Sequence, residues 1–344
     1  MKMRTIPIIA TLGAAALLAG CAGAPSVADG GDRDREVAGD AFPATIDNCG
    51  TTVEIESPPQ RAVSLNQSAT EILIALGVED RVVGTAYQNQ HVADDIAEAY
   101  ESIPLLSDGI LKHETLLEAQ PDFVYSSFAS FLTAENAGER SELHDLGVPT
   151  YLTEFDCTYH AAVEGGATFE MLFAEIETVA GIFGVPEAGA QVVADQQRII
   201  AEGLETAERI EGTPKLVWFY STAASAATPS VAGPGGLPQT VTEMLGAENL
   251  FADAETKWPE VSWDEIAQRQ PDAIILGDLT RGYPGDTAQE KIDFLKSDPL
   301  TKTMDAVIHE RFIVVPGQYM DPSMHSVEAI TAVADGLVEF GGEG

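Results

Sequence analysis

One short pattern occurs twice, on either side of a single long helix-forming segment. Leu117-Glu-Ala-Gln-Pro121-Asp122-Phe-Val and Ile266-Ala-Gln-Arg-Gln-Pro271-Asp272-Ala-Ile-Ile each read as the end of a helix, a Pro-Asp break and an apolar strand. Thr70-Glu71-Ile72-Leu73 and Thr242-Glu243-Met244-Leu245 precede them in the same order. Between the two copies, residues 187–210 place Val193, Ile200, Leu204 and Ala207 on one helical stripe. At the usual rise that helix runs about 35 Å, the width of a domain. Two similar units joined by one long helix is therefore the expected architecture.

Within each unit, strand and helix signals alternate. Arg61–Leu65 reads as a strand, followed by an Asn-Gln-Ser lead-in and a helix from Thr70 to Leu76 closed by Gly77. Arg81–Gly84, Phe123–Tyr125, Val148–Leu152 and Lys215–Tyr220 read as further strands, with helices at His113–Ala119, Ser141–Leu146 and Thr168–Phe183. This alternation predicts an α/β fold with mostly parallel sheets. The domain reading is an N-terminal α/β lobe over 41–165, a helical segment over 166–212 containing the interlobe helix 187–210, and a C-terminal α/β lobe over 213–344.

The first forty residues belong to neither lobe. Lys2 and Arg4 start a short basic region, and an apolar run of about thirteen residues extends from Ile6 to Leu18. That is too short for a permanent membrane helix but suits a secretory signal over 1–20. The run ends in Leu18-Ala19-Gly20-Cys21, which resembles a bacterial lipobox, so Cys21 is the expected lipidation site. Residues 21–40, rich in Ala, Gly, Asp, Arg and Glu, read as a disordered linker. The expected location is extracytoplasmic, anchored to the cell membrane by lipid alone.

The chain carries 55 acidic against 18 basic residues, a formal net charge of −37. Such a surface repels nucleic acid and anionic headgroups. Cys49 and Cys157 are the cysteines left after the lipobox, and an exported chain lives where disulfides persist. They are the expected bridge, the alternative being two buried thiols. Hydrolase, nucleotide-loop and zinc-protease motifs are absent, and no enzyme is expected. The six histidines are His91, His113, His144, His160, His309 and His325, and none stands at ligand spacing, so no metal site is expected. Gly233-Pro-Gly-Gly236 lacks a nucleotide-loop lysine and reads as an ordinary loop.

These segments, in this order behind a lipobox, resemble the substrate-binding proteins for ferric siderophores, haem and cobalamin. Arg61-Ala-Val-Ser-Leu-Asn-Gln-Ser-Ala-Thr-Glu-Ile-Leu, the Leu-Gly-Val-Glu-Asp-Arg-Val-Val-Gly84 segment, Glu118-Ala-Gln-Pro-Asp-Phe-Val, Glu243-Met-Leu-Gly-Ala-Glu-Asn-Leu and Ser262-Trp-Asp-Glu-Ile-Ala-Gln-Arg-Gln-Pro-Asp carry the likeness, which spans Phe42 to Gly342. Asn48-Cys49-Gly50 is similar to actinobacterial iron-complex binders. The resemblance implies a monomer holding its ligand between lobes joined by a rigid helix. It implies delivery to an ABC permease, homodimeric or heterodimeric, with its ATPase. It also implies one Glu per lobe meeting a permease Arg, here Glu71 and Glu243.

The ligand implied is an iron(III)–siderophore complex, with haem and cobalamin as alternatives. A structural or adhesive lipoprotein is a more distant one. Candidate ligand contacts sit at strand-to-loop junctions: Tyr87, Gln88, Ser127, Phe128, Tyr220, Trp258, Arg281 and Tyr319. Rings with a few placed polar groups suit a large planar or apolar ligand. Arg281 alone among the cations looks placed for the cleft, which leans towards a neutral or cationic complex such as a hydroxamate. His325, beside Tyr319 and Met320, keeps haem open as an axial ligand. Trp218 and Trp263 read as core.

Overall fold

The computed structural model describes residues 42–88, 90–158, 165–222 and 228–342. The signal, the linker and Cys21 lie outside them. The chain opens on an antiparallel hairpin, β1 (Ala44–Asn48) and β2 (Thr51–Ile55), turned at Cys49 and Gly50, both at positive φ. The N-terminal lobe follows as β3 (Ala62–Ser64), α1 (Gln67–Ala75), β4 (Val82–Ala86), α2 (Ala97–Ser102), β5 (Leu105–Ser107), α3 (His113–Glu118), β6 (Phe123–Ser126), α4 (Arg140–Asp145) and β7 (Thr150–Leu152). Its parallel sheet has the order β5-β4-β3-β6-β7. Helix α1 starts before Thr70 because the Asn66 side chain accepts the Ser68 amide and caps it.

Two helices, α5 (Phe169–Ile182) and α6 (Pro186–Ala207), lead to the second lobe. That lobe comprises β8 (Lys215–Thr222), β9 (Pro229–Val231), α7 (Leu237–Met244), β10 (Glu248–Asn249), α8 (Trp263–Arg269), β11 (Ala273–Asp278), α9 (Ala288–Ser297), α10 (Asp305–Ile308), β12 (Phe312–Pro316) and α11 (Glu328–Gly341). Its sheet runs β10-β8-β11-β12 in parallel, with β9 antiparallel to β8. Among the described residues no helix is long and apolar enough to cross a membrane.

The repeated Gln-Pro-Asp does the same work in both lobes. Gln120 and Gln270 take left-handed φ values of 51° and 52°, ending α3 and α8 where Pro forbids continuation. Asp122 then accepts the Gln60 and Arg61 amides at 2.8 and 2.9 Å, and Asp272 accepts the Lys215 amide at 2.8 Å. Each Asp ties the start of its own strand to the start of the lobe's first strand.

The expected interlobe helix is present as α6, ending at Ala207 rather than 210. From Glu208 on, amides bond three residues back as well as four, tightening the chain towards Gly212. One end of α6 packs on α5 of the first lobe and the other on α11 of the second. Both approaches are made at glycine. A Cβ on Gly189 would stand 2.5 Å from the Ala180 Cβ, and one on Gly203 would stand 2.9 Å from the Thr331 backbone nitrogen.

Helix α5 is bound to the first sheet by a buried carboxylate. Glu175 accepts hydrogen bonds from Tyr125 Oη and from Thr153 Oγ1, the latter at 2.7 Å. Burial pushes its carboxyl up to about 7, against the two hydroxyl donors. The hairpin is fixed at its other end. Asn48 brackets Leu152 through both amide atoms at 2.8 Å, and Cys49 is disulfide-bonded to Cys157, as expected.

Two outcomes follow for stability. Ala in a helix interior normally gains about 1 kcal/mol over Gly. At Gly203 the backbone of α11 stands in the way, so Gly203→Val should cost about 1–3 kcal/mol by overpacking. An unchanged thermal midpoint would refute the close approach. Glu175, with its raised carboxyl, holds its proton in the fold between its ordinary value and about 7, so the unfolded chain binds fewer protons there and stability falls as pH rises through that window. Glu175→Gln should therefore gain on the native chain between pH 5 and pH 8, by on the order of 3 kcal/mol. Urea titrations whose difference stays flat across those pH values would contradict this.

Candidate functional site

The C-terminal ends of both sheets open on one cleft, where an open α/β sheet offers loops to a ligand. It holds a cavity of about 350 Å³ lined from both lobes. The first lobe contributes Asn66–Ser68 after β3, Tyr87 and Gln90 after β4, residues around Phe128 after β6, and Phe155-Asp156 after β7. The second contributes Tyr220 from β8, Lys257-Trp258, Arg281 after β11, and Gln318 and Met320 to Pro322 after β12.

Six of the eight expected contacts line this cavity: Tyr87, Ser127, Phe128, Tyr220, Trp258 and Arg281. Two do not. Tyr87 adopts a left-handed φ of 56° at the end of β4, and Gln88 beyond it is exposed away from the cavity. Tyr319 is turned aside, hydrogen-bonded to Glu328, while its neighbours Gln318 and Met320 face the cleft. Trp218 is fully buried as expected and donates to Thr242 Oγ1 at 2.8 Å. Trp263 packs partly buried on the second lobe's core, against Phe219 and Phe294.

The walls are aromatic on both sides. In the first lobe the Phe131 ring stands 4.9 Å from Tyr87 and 5.1 Å from Phe128, edge to face. In the second, Tyr220 and Trp258 lie 4.8 Å apart, and the Arg281 guanidinium sits 5.5 Å from the Tyr220 ring. A buried lysine supports this wall. Lys291 donates to the carbonyls of Tyr220 at 2.6 Å, Asp286 at 2.8 Å and Gly277. Asp286 in turn grips Arg281 with both oxygens, at 3.0 and 2.6 Å. One ammonium thus joins β8, β11 and the loop that orients the cleft arginine.

The cavity charges come largely in pairs. Lys257 reaches across the cleft to Asp156 at 3.1 Å and the Phe155 carbonyl at 3.3 Å. His325 of the second lobe lies 3.6 Å from Glu71 of the first and 3.6 Å from Glu328. Burial alone would lower the His325 imidazole, but Glu328 and Glu71 together hold it above its ordinary value. Burial raises Glu71 in spite of His325 and the Gln67 amide, which donates to it at 2.9 Å.

This corrects the expectation for Glu71. It is 2% exposed, on the cleft floor, and offers no carboxylate to an outside partner. Glu243 is exposed on α7, accepting from Gln239 at 2.7 Å. His325 is also displaced from the role considered for it. It does not line the cavity and is engaged by two carboxylates. Among the described residues no group of His, Cys, Asp or Glu could hold a metal ion. Among the cavity residues not singled out from the sequence are Phe131, Asp156, Lys257 and Asp321. Only Lys257, next to Trp258, carried a local signal.

A family model described as periplasmic binding protein matches residues 63–319. The uncharacterized ABC transporter substrate-binding lipoprotein YvrC of Bacillus subtilis (strain 168) is 27% identical over 81% of this chain and 82% of its own length. The vitamin B12-binding protein of Vibrio campbellii is 26% identical over 73% of this chain and 87% of its own. The crystal structure of an ABC-type Fe3+-hydroxamate transport system from Saccharomonospora viridis superposes with a TM-score of 0.71 at 23% identity, covering 86% of this chain and 99% of that one. With two α/β lobes, an aromatic cleft between them and a matched segment spanning both, the chain belongs to the periplasmic binding protein family, whose members bind a substrate and do not transform it.

Proposed function

We propose that this chain is the extracytoplasmic solute-binding lipoprotein of an ABC importer, anchored through Cys21, and that it captures a ferric siderophore of the hydroxamate type. The permease, homodimeric or heterodimeric, and its ATPase would receive the ligand from a monomer. The observation that carries the ligand reading is the make-up of the cleft. Aromatic rings line it from both lobes, and among the described residues its two cations are each paired with a carboxylate. Such walls suit a bulky complex of neutral or positive charge over a polyanion. A relative described as vitamin B12-binding favours cobalamin as a second reading. Haem has less support, because His325 and Tyr319 both lie off the cavity.

Docking needs exposed acids at matching places in the two lobes, and Glu71 is buried. Glu114 and Asp264 meet both conditions. They are exposed, sit in the first turns of α3 and α8, and precede Pro121 and Pro271 by the same number of residues. Two equivalent carboxylates suit a two-fold partner, and such pairs set register and encounter rate.

Two experiments test these readings. Tryptophan fluorescence of the purified protein should be quenched saturably, with sub-micromolar Kd, by a ferric hydroxamate. Trp258→Phe should remove most of the response. Saturation by haemin or cobalamin alone would replace the ligand and keep the importer role. In cells, Glu114→Lys with Asp264→Lys should abolish uptake while leaving ligand affinity unchanged. Normal uptake by that double variant would exclude these acids as the docking pair.

A further inference from the structure

Five charged residues line the cleft cavity: Glu71, Asp156, Lys257, Arg281 and Asp321. Four have an ionic partner. Glu71 faces His325, Asp156 holds Lys257, and Arg281 is gripped by Asp286. Asp321 has no ion pair among the described residues. Its Oδ2 accepts from Tyr220 Oη at 3.0 Å, and it remains partly accessible from the cavity. Lys257 and Arg281 are its cationic neighbours, but each is committed to another carboxylate. Tyr220, its donor, is paired with Trp258 at 4.8 Å between ring centroids, and both rings line the same cavity. A carboxylate next to aromatic faces is the chemistry that recognises an organic cation.

We infer that Asp321 is a specificity-determining residue that gives the cleft a preference for a ligand bearing a cationic ammonium group. The inference rests on the siderophore reading and narrows it to positively charged ferric complexes. Burial raises the Asp321 carboxyl despite the Tyr220 hydroxyl and the nearby Lys257 and Arg281, so the uncomplexed cleft leaves this charge poorly compensated. An ammonium placed against it supplies the missing partner. A bare anion placed there meets repulsion.

The test compares two ligands with the same ferric core that differ at one terminal nitrogen, charged in one and acetylated and neutral in the other. Ferrioxamine B carries a free primary ammonium on its ferric trihydroxamate core, and its N-acetylated form does not. The full-length protein should bind the ammonium form about tenfold more tightly or better, the scale of one charge-assisted hydrogen bond. Asp321→Asn should erase that ratio by weakening the ammonium form while leaving the acetylated form unchanged. A merely structural role for Asp321 would weaken both together. Equal binding of the two complexes by the native protein, which needs no variant to fold, overturns this inference and leaves the siderophore reading standing. Binding of neither overturns both.

Discussion

Helix α6 is held by a glycine near each end, and everything about the cleft depends on that. At Gly189 it lies against α5, which is tied to the first sheet through Glu175. At Gly203 it lies against α11, whose buried face of Ile330, Val333, Ala334 and Leu337 covers the second sheet. A helix clamped so closely at both ends has little freedom to bend, since kinks need Pro, a bulge or an inserted side chain. The lobes are therefore set at a nearly fixed separation. The cavity is a property of the unliganded fold more than of a closing motion.

A preformed cleft must keep its polar groups satisfied while it waits. Here that is done by pairing within and across the lobes. Asp156 and Lys257 meet across the gap, as do Glu71 and His325, and Arg281 sits over the Tyr220 ring, oriented by Asp286, whose carbonyl Lys291 holds. The disulfide enters this scheme indirectly. Cys157 follows Asp156, so the bridge to Cys49 anchors the turn that presents the carboxylate to the opposite lobe. Buried pairs of this kind add little net stability, because desolvation offsets the attraction. Their effect is on geometry and on which charges remain open to a ligand.

The two lobes, their strand order of events and the long helix were legible because they rest on local rules. Pro-Asp breaks, Gly stops and one apolar stripe need no knowledge of distant partners. Six cleft residues were legible for a similar reason, since strand ends in α/β sheets face the ligand. The Thr-Glu-aliphatic-Leu repeat places its two glutamates differently, Glu71 buried and Glu243 exposed. What the repeat preserves is the threonine. Thr70 is buried among Ser64, Thr85 and the Asn66 carbonyl, and Thr242 is buried against Trp218 and the Pro238 carbonyl. Each bolts its helix to the first strand of its lobe. The glutamate beside it is free to differ, and Glu71 is covered by a histidine 254 positions away in the chain. No local pattern announces such a partner. Asp321 and Asp156 were hidden for the same reason.

The acidity of the chain and the chemistry of its cleft act over different distances. A net charge of −37 creates a field that draws cations towards the surface and disfavours anions. In about 0.1 M salt that field is screened within about 10 Å, so it biases encounters and not the final fit. Inside the cavity the balance is set by which carboxylates keep a partner. Two do, Glu71 and Asp156, and the third, Asp321, has only the hydroxyl of Tyr220. The long-range field and the unpaired group thus favour the same sign of ligand, although they arise from unrelated parts of the sequence. A single added cation beside Asp321 would reverse the local preference and leave the global charge almost untouched, which is why ligand class in this fold cannot be read from net charge alone.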